Sequence, residues 1–463
     1  MQTAGKCNNK RNYKNKQFNI LAMLEKIRVR NYKAFEDASI PIKPITILLG
    51  ANSVGKSSIV QLMLLLQQTA KQEYKSYKSA LKLYGGAVNF GDAKNLFRKL
   101  KVEQPLNFSF NLQSEDFGNY LKELKRRFID SLIESMRFVP FGGDYKFHEN
   151  REILNDRKLF IIFLNHFNKT FKKKDNEVFA YYIEHCLNRE GINTKNGINK
   201  SDFLRIYDFL GKISNCIEDD NSFEYNFKIA YNNNRLVVNH FHILHSNKTI
   251  ISFANDKGNN HLFSDFIVFN VEENFEILKY FDESFTLFNN FKSTEQDSST
   301  IISYLIKILI KSLNHLREEF SESKINYVSP LRAHPKRYYM LDKAKMNITL
   351  DTLDGDAIAD VLKDVSEVKK SVNQWFGKFN LSINVKEFKE VVHHLKVNQN
   401  QLDLDITDVG FGISQVLPVI IQSFLSSNDS TTIIEQPEIH LHPKMQADLA
   451  DLFIDIVKLK KNG

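Results

Sequence analysis

Gly50-Ala51-Asn52-Ser53-Val54-Gly55-Lys56-Ser57 spells G-x-x-x-x-G-K-S, a spacing suited to gripping phosphate. Two glycines let the main chain curl until successive N–H groups converge on phosphate oxygens, and a helix beginning near Lys56 adds the positive end of its dipole. In such a cradle Lys56 reaches the β- and γ-phosphates of a triphosphate and Ser57 ligates Mg2+, with Asn52, Ser53 and Ser58 as further candidate contacts. A magnesium ion held this way also needs a carboxylate from a second strand. Thr431-Thr432-Ile433-Ile434-Glu435-Gln436-Pro437-Glu438 offers one, and Glu435 is the candidate metal-directing residue. An apolar strand ending in a solvated acid is common, so Glu435 takes its weight from the loop that requires it.

Elements able to position these groups are legible on both sides. Ile27 and Val29 alternate with Lys26, Arg28 and Arg30, then Ile40, Ile42, Ile45 and Ile47 recur, which predicts a strand pair feeding a buried strand from Ile45 to Leu49. Beyond the loop, Ile59, Val60 and Leu62 to Leu66 leave almost no polar face, so the helix there should be buried nearly all round beneath a sheet. Gly85-Gly86 and Gly91-Asp92 turns and the alternating Leu106, Phe108 and Phe110 predict more sheet up to residue 112. From 113 to 324 the chain is rich in Lys, Asn and Phe. Ile301, Leu305, Ile308, Leu309, Leu313 and Leu316 keep helical spacing without a sustained heptad, which predicts a mostly helical insertion lobe with some strand around Phe223 to Val238. Strand and loop signals return at Ile325, and Asp408 to Phe453 reads as glycine turn, helix, strand, turn and helix. The expected fold is α/β, a P-loop NTPase head split into residues 23–112 and 325–463 by the 113–324 lobe. Residues 1–22 read as a disordered basic tail, or as a mis-assigned start with Met23 the true beginning.

With 42% hydrophobic and 25% charged residues over 463 positions, the chain has enough apolar material for more than one core and is not a disordered polyelectrolyte. Its net charge of +8 invites a nucleic-acid reading, but Lys6, Lys10, Arg11, Lys14 and Lys16 supply five of those charges in an opening segment with no acid. The remaining body is only mildly basic, and bulk charge speaks to association rather than substrate. Cys7, Cys186 and Cys216 lack C-x-x-C spacing, which argues against a structural zinc site and suits a reducing cytoplasm. No apolar run is long enough to cross a bilayer. His440 and His442 lack a third ligand nearby and are expected to be structural, as are His393 and His394. Arg332 and Arg337, on either side of Pro335, either approach phosphate, of ATP or DNA, or form a solvated or salt-bridged pair; Lys125-Arg126-Arg127 and Lys172-Lys173-Lys174 fit solvated helix faces.

Three segments together carry a resemblance: Gly50 to Ser58, Val409-Gly410-Phe411-Gly412-Ile413-Ser414-Gln415-Val416-Leu417-Pro418, and Ile434-Glu435-Gln436-Pro437-Glu438-Ile439-His440-Leu441-His442-Pro443. They resemble the RecF-like and OLD-like ATPases of the ABC superclass. More narrowly, with Tyr327-Val328-Ser329-Pro330-Leu331-Arg332-Ala333, they are similar to ATPases of bacterial anti-phage systems, including the Septu type and retron-linked relatives. The resemblance covers about residues 24–112 and 325–456. It implies ATP and Mg2+ as ligands and a homodimer of heads paired head to tail. Each ATP would then lie between one P-loop and the signature of the other chain, here matched by Gly410, Gly412, Ser414 and Gln415. Glu435 takes the magnesium-directing position, and the next residue, normally a glutamate that deprotonates the attacking water, is Gln436. An amide holds a water but cannot accept its proton. Either Glu438 takes over, or ATP turns over slowly and acts as a clamp.

The resemblance also implies a further strand with a switch histidine after the second helix. The sequence ends at Lys460-Lys461-Asn462-Gly463 without one, so it reads as a truncated or split head. No acidic nuclease cluster follows the ATPase motifs, so any cutting of DNA is expected of a partner nuclease. The leading expectation is a cytoplasmic ATPase of a defence or DNA-repair system that controls such a partner. The alternative is a non-hydrolysing, ATP-gated scaffold. A membrane-transporter subunit is disfavoured by the divergent signature and the middle lobe.

Overall fold

Alternating apolar residues build one wide antiparallel sheet. The computed structural model describes residues 23–71, 79–135, 154–172, 187, 200–217, 221–256, 259–278, 281, 285–288, 300–332, 334–340, 357–389 and 392–462. The basic segment 1–22, with Cys7, and also Cys186, Lys173 and Lys174 lie outside the described residues. Met23–Tyr32 (β1) and Phe35–Pro41 (β2) pair as a hairpin, Lys56–Ala70 (α1) follows the glycine loop, and Leu106–Gln113 (β3) runs antiparallel to β1. Among the described residues, the helices Glu115–Ser135 (α2), Arg157–Lys172 (α3) and Lys200–Cys216 (α4) come next. Ser222–Asn232 (β4), Arg235–His245 (β5), Lys248–Asp256 (β6) and Asn259–Phe263 (β7) then extend the same sheet, in the order β2-β1-β3-β4-β5-β6-β7. Val271–Leu278 (α5) and Thr300–Glu319 (α6) complete this part.

The stretch expected as a separate lobe from residue 113 thus shares its sheet with β1 and β3. The reason is matched periodicity: Phe223, Tyr225 and Phe227 alternate inward as Phe108 and Phe110 do, and the ladder runs unbroken from Leu106↔Ile229 to Gln113↔Ser222. One cross-strand row passes through Val29, Phe108, Phe227, Phe241 and Phe253, on the face that α1, α2 and α6 cover. Asn233-Asn234 and Ser246-Asn247 each take two consecutive positive φ values, the backbone that a two-residue hairpin with correct twist demands. A single core extends from Leu24 to Ile325, and α1 is buried through Ile59, Val60 and Leu62 to Leu66, in line with its nearly unbroken apolar sequence.

The remaining chain forms a second core. Ile325–Val328 (β8), Tyr339–Met340 (β9), Ala357–Asp364 (α7), Ser366–Gly377 (α8), Leu381–Lys389 (β10), Val392–Gln399 (β11), Leu402–Asp405 (β12), Phe411–Leu425 (α9), Thr431–Ile434 (β13) and Pro443–Asn462 (α10) follow in order. β10, β11 and β12 form a meander with β9 added to β11, while β8 and β13 form a parallel pair. That pair is the seam between the cores. Ile325 and Ile433 join the first core, and Val328 and Ile434 join the second, so alternate residues of two short strands face two interiors. Gln67 Nε2 donates to Ile325 O at 2.6 Å and fastens α1 to the start of β8. Arg317 Nε donates to Ala70 O at 2.7 Å and satisfies a carbonyl at the end of α1.

One expected element differs. Residues Ile45 to Leu49 form no ladder and are not buried, with Ile47 71% and Leu49 85% exposed. Alternation supplies a strand's side chains but not its hydrogen bonds, and among the described residues β13 pairs only with β8. No helix of the described residues is long and apolar enough to cross a membrane.

Glu319, at the end of α6, is 8% exposed and accepts from Leu24 N at 3.1 Å, so a carboxyl group anchors the first strand. Burial pushes its pKa up to about 7, aided by Asp429 and Glu318 and opposed by Lys324 and the Leu24 N–H. A folded pKa above the usual 4.5 means the fold prefers the protonated form, so this contribution is complete below about pH 4.5 and is lost as pH rises through about 7. Glu319→Gln should therefore exceed the parent in stability by on the order of 2–3 kcal/mol at about pH 8, with the gap closing towards about pH 4.5. Urea denaturation at the two pH values checks this, and a pH-independent gap would count against it.

Candidate functional site

The phosphate-cradle sequence adopts the curled backbone its glycines allow. Gly50 has φ 151°, Ser53 φ 65° and Gly55 φ 108°, and Gly55 leads directly into α1. Only glycine fits at 55, because a Cβ there would stand 2.6 Å from the Phe35 ring at the start of β2. Residues Gly50 to Val54 are exposed, whereas the helix behind them is buried. Lys56 Nζ folds back over the loop and donates to the carbonyls of Gly50 and Ala51, both at 2.7 Å. Tyr32, fully buried on β1, donates its hydroxyl to Ser58 O at 3.1 Å and fixes the first turn of α1.

Glu435 is delivered to this turn from 378 positions away. The ladder of β8 and β13 places it just past Ile434, where its N–H donates to Val328 O at 3.1 Å. Ser57 Oγ lies 3.5 Å from Glu435 Oε2. Tyr327, on β8, donates its hydroxyl to Glu435 Oε1 at 2.8 Å. Burial, together with that bond to a carboxylate, pushes the Tyr327 pKa up, so the phenol stays a donor. Two hard oxygen donors, Ser57 Oγ and Glu435 Oε2, at this separation suit Mg2+, which takes one or two protein oxygens and keeps the rest of its shell for water and phosphate. The Tyr327 bond orients the carboxylate from behind, as groups supporting a metal ligand do.

Gln436 and Glu438 follow on an exposed turn, with Gln436 in the left-handed region at φ 48°. The signature segment starts α9, with Gly410 exposed at its cap. Gly412 packs on the turn after Glu438, where a Cβ would stand 2.7 Å from His440 O. Ser414 and Gln415, also on α9, are 5% and 3% exposed. The structure therefore joins Ser57, Glu435 and Tyr327 directly, and brings Gly410 to Gln415 to the acid-strand end through Arg332 and the His440 carbonyl.

Arg332 is buried and donates to main-chain carbonyls, which is neither of the alternatives the sequence offered for it; Arg337 lies 3.5 Å from Asp408 at the surface. His442 Nδ1 accepts from Lys444 N at 3.3 Å and caps α10, a structural role. Among the described residues no group of three or more His, Cys, Asp or Glu side chains could hold a metal ion. Sequence reasoning did not single out Tyr327. Its signal was a phenol on a strand otherwise suited to burial, and its meaning depended on the register that sets Tyr327 opposite Ile433.

Removing the Tyr327 hydroxyl should loosen the Glu435 carboxylate without emptying the core. Tyr327→Phe is expected to weaken the magnesium dependence of nucleotide binding by about 10-fold, the lower end for support groups behind a metal ligand. Magnesium titration at fixed nucleotide measures it, and an unchanged midpoint would remove Tyr327 from the site.

A family model described as an AAA ATPase domain matches residues 23–462. A search of curated proteins gave no match. Membership of an ATPase family implies nucleotide binding, in accord with the exposed glycine loop and the Ser57–Glu435 approach. The match takes in every element described above, and the protein belongs to the AAA ATPase domain family.

Proposed function

We propose that the chain is a slowly cycling, ABC-type ATPase head that closes on MgATP with a second copy and thereby controls DNA engagement or a partner nuclease. The observation that carries the nucleotide part is the approach of Ser57 to Glu435 beside the exposed curled loop. On binding, Lys56 exchanges the Gly50 and Ala51 carbonyls for β- and γ-phosphate oxygens, and the loop N–H groups and the start of α1 hold the rest of the negative charge. Magnesium supplies electrophilic neutralisation of the phosphate oxygens when bound. Glu435 and Ser57 hold it in place while Tyr327 fixes the carboxylate.

Hydrolysis requires a water oxygen to attack the γ-phosphorus as the bond to the β–γ bridging oxygen breaks, with one proton lost from the water. Gln436, next to the magnesium-directing acid, holds that water by its amide but takes no proton. Glu438 is the nearest carboxylate along the turn, and it is exposed. Proton removal is thus the weak step, which supports a long-lived ATP-bound state. The same observation favours the second reading, a non-hydrolysing scaffold closed by binding energy alone. Phosphate release measured with and without DNA separates the two. The head-to-tail pair, the partner nuclease and the defence or repair setting rest on the resemblance of the three motif segments.

Lys56→Ala should weaken ATP binding by at least about 100-fold, since two charge-assisted contacts to phosphate are worth on the order of 3 kcal/mol together. Equilibrium binding of a fluorescent ATP analogue tests this, and parent-like affinity in the variant overturns the nucleotide reading. Gln436→Glu restores a proton acceptor and should raise steady-state turnover by about 10²-fold, the lower end for a positioned base. Single-turnover phosphate release that is unchanged in this variant would show that position 436 does not face the attacking water.

A further inference from the structure

The start of α9 and the end of β13 are not simply neighbours, because one buried cation spans them. Arg332, in the segment after β8, is 5% exposed. Its Nη1 donates to Gln415 O at 3.2 Å, and its Nη2 donates to Glu435 O at 3.0 Å and to Gln436 O at 3.1 Å. Glu438 is the acid whose field favours the charged guanidinium, against a desolvation cost that lowers its pKa. Pro418, inside α9, has no N–H to give to the carbonyl of Ser414, the residue before Gln415. Gln436 takes φ 48°, a left-handed backbone state, and its carbonyl meets the same nitrogen as that of Glu435.

We infer that Arg332 is a positioning residue that couples a chain's own nucleotide site to the signature segment it offers to a second copy. The coupling rests on the reading of Glu435 and Gln436 as the magnesium and water end of the site. Any shift of those two residues on MgATP binding must move or break the two bonds to Nη2, and the rigid planar fork passes the change to Gln415 on α9. Gly412, seated against the His440 carbonyl, makes the second contact between the same two elements and confines the motion. A lysine ammonium retains the charge but has no planar fork to serve both sides, which makes Arg332→Lys the informative change.

The experiment is hydrogen exchange of the amides of residues 410–416 in the full chain, with and without saturating MgATP, for the parent, Arg332→Lys and Arg332→Ala. In the parent, MgATP should slow exchange there by about tenfold or more, a change of about 1.4 kcal/mol in local opening. Arg332→Lys should bind the fluorescent ATP analogue within about threefold of the parent and melt within a few degrees of it, yet lose that protection and exchange faster even without nucleotide. Should Arg332→Ala fail to fold, the lysine variant carries the test. Parent-like protection in Arg332→Lys, or a parent whose 410–416 exchange ignores bound MgATP, overturns the coupling while leaving the nucleotide site standing. A parent that does not bind MgATP overturns the site reading. In that case the nucleotide-free rates still judge the bridge, and unchanged rates in Arg332→Lys dismiss it.

Discussion

The arrangement depends on a parallel ladder of four residue pairs. β8 and β13 meet from Thr431↔Ile325 to Ile434↔Val328, and everything the site needs from the second half of the chain is delivered at their ends. Two short parallel strands have little stability alone, because parallel pairs persist only when both faces are covered. Here the cover comes from both cores, with Ile325 and Ile433 against the seven-stranded sheet and Val328 and Ile434 against α9 and its neighbours. The distance between Ser57 and Glu435 is therefore set jointly by two separately packed interiors. A cavity in either one would be felt at the carboxylate.

Two buried ionisable groups fasten main chain where regular ladders stop. Glu319 accepts the Leu24 N–H at the first residues of β1, and Arg332 takes three carbonyls where β13 ends and α9 begins. Buried backbone groups must find partners, and at the ends of elements the regular partner is missing. An ionisable side chain fills the gap, and burial penalises its charged form, which appears as the raised pKa of Glu319 and the lowered pKa of Arg332. Such joints hold firmly in one geometry and tolerate little drift, since an ion that loses its partners indoors is costly.

What the sequence disclosed followed the range of the interaction. The curled glycine loop and the helix start at Lys56 were legible because that backbone geometry is local, needing only eight consecutive residues. The burial of α1 and the strand at Leu106, Phe108 and Phe110 were legible from periodicity alone. The sheet crossing residue 113 was not, because the pairing of Phe108 with Phe227 spans more than a hundred residues and alternation does not say which strands meet. Ile45 to Leu49 shows the converse failure: the pattern was present, but a strand also requires a neighbour. Ser414 and Gln415 had residue types suited to phosphate, and their burial on α9 was not legible from those types.

The exposed tips of the site contrast with their fixed roots. Gly50 to Val54, Gly410, Gln436 and Glu438 lie at the surface, while the helices and strands that carry them contribute residues to the cores. Binding energy from a triphosphate would thus go into ordering a few tips rather than rebuilding the sheet, which keeps the response local and fast to reverse. On the function proposed above, reversal without hydrolysis would depend on nucleotide dissociation, and Gln436, which would hold the water without taking its proton, would lengthen the bound interval. Its carbonyl is also one of the Arg332 partners, so on the same proposal one residue would serve both the chemistry and the link to α9.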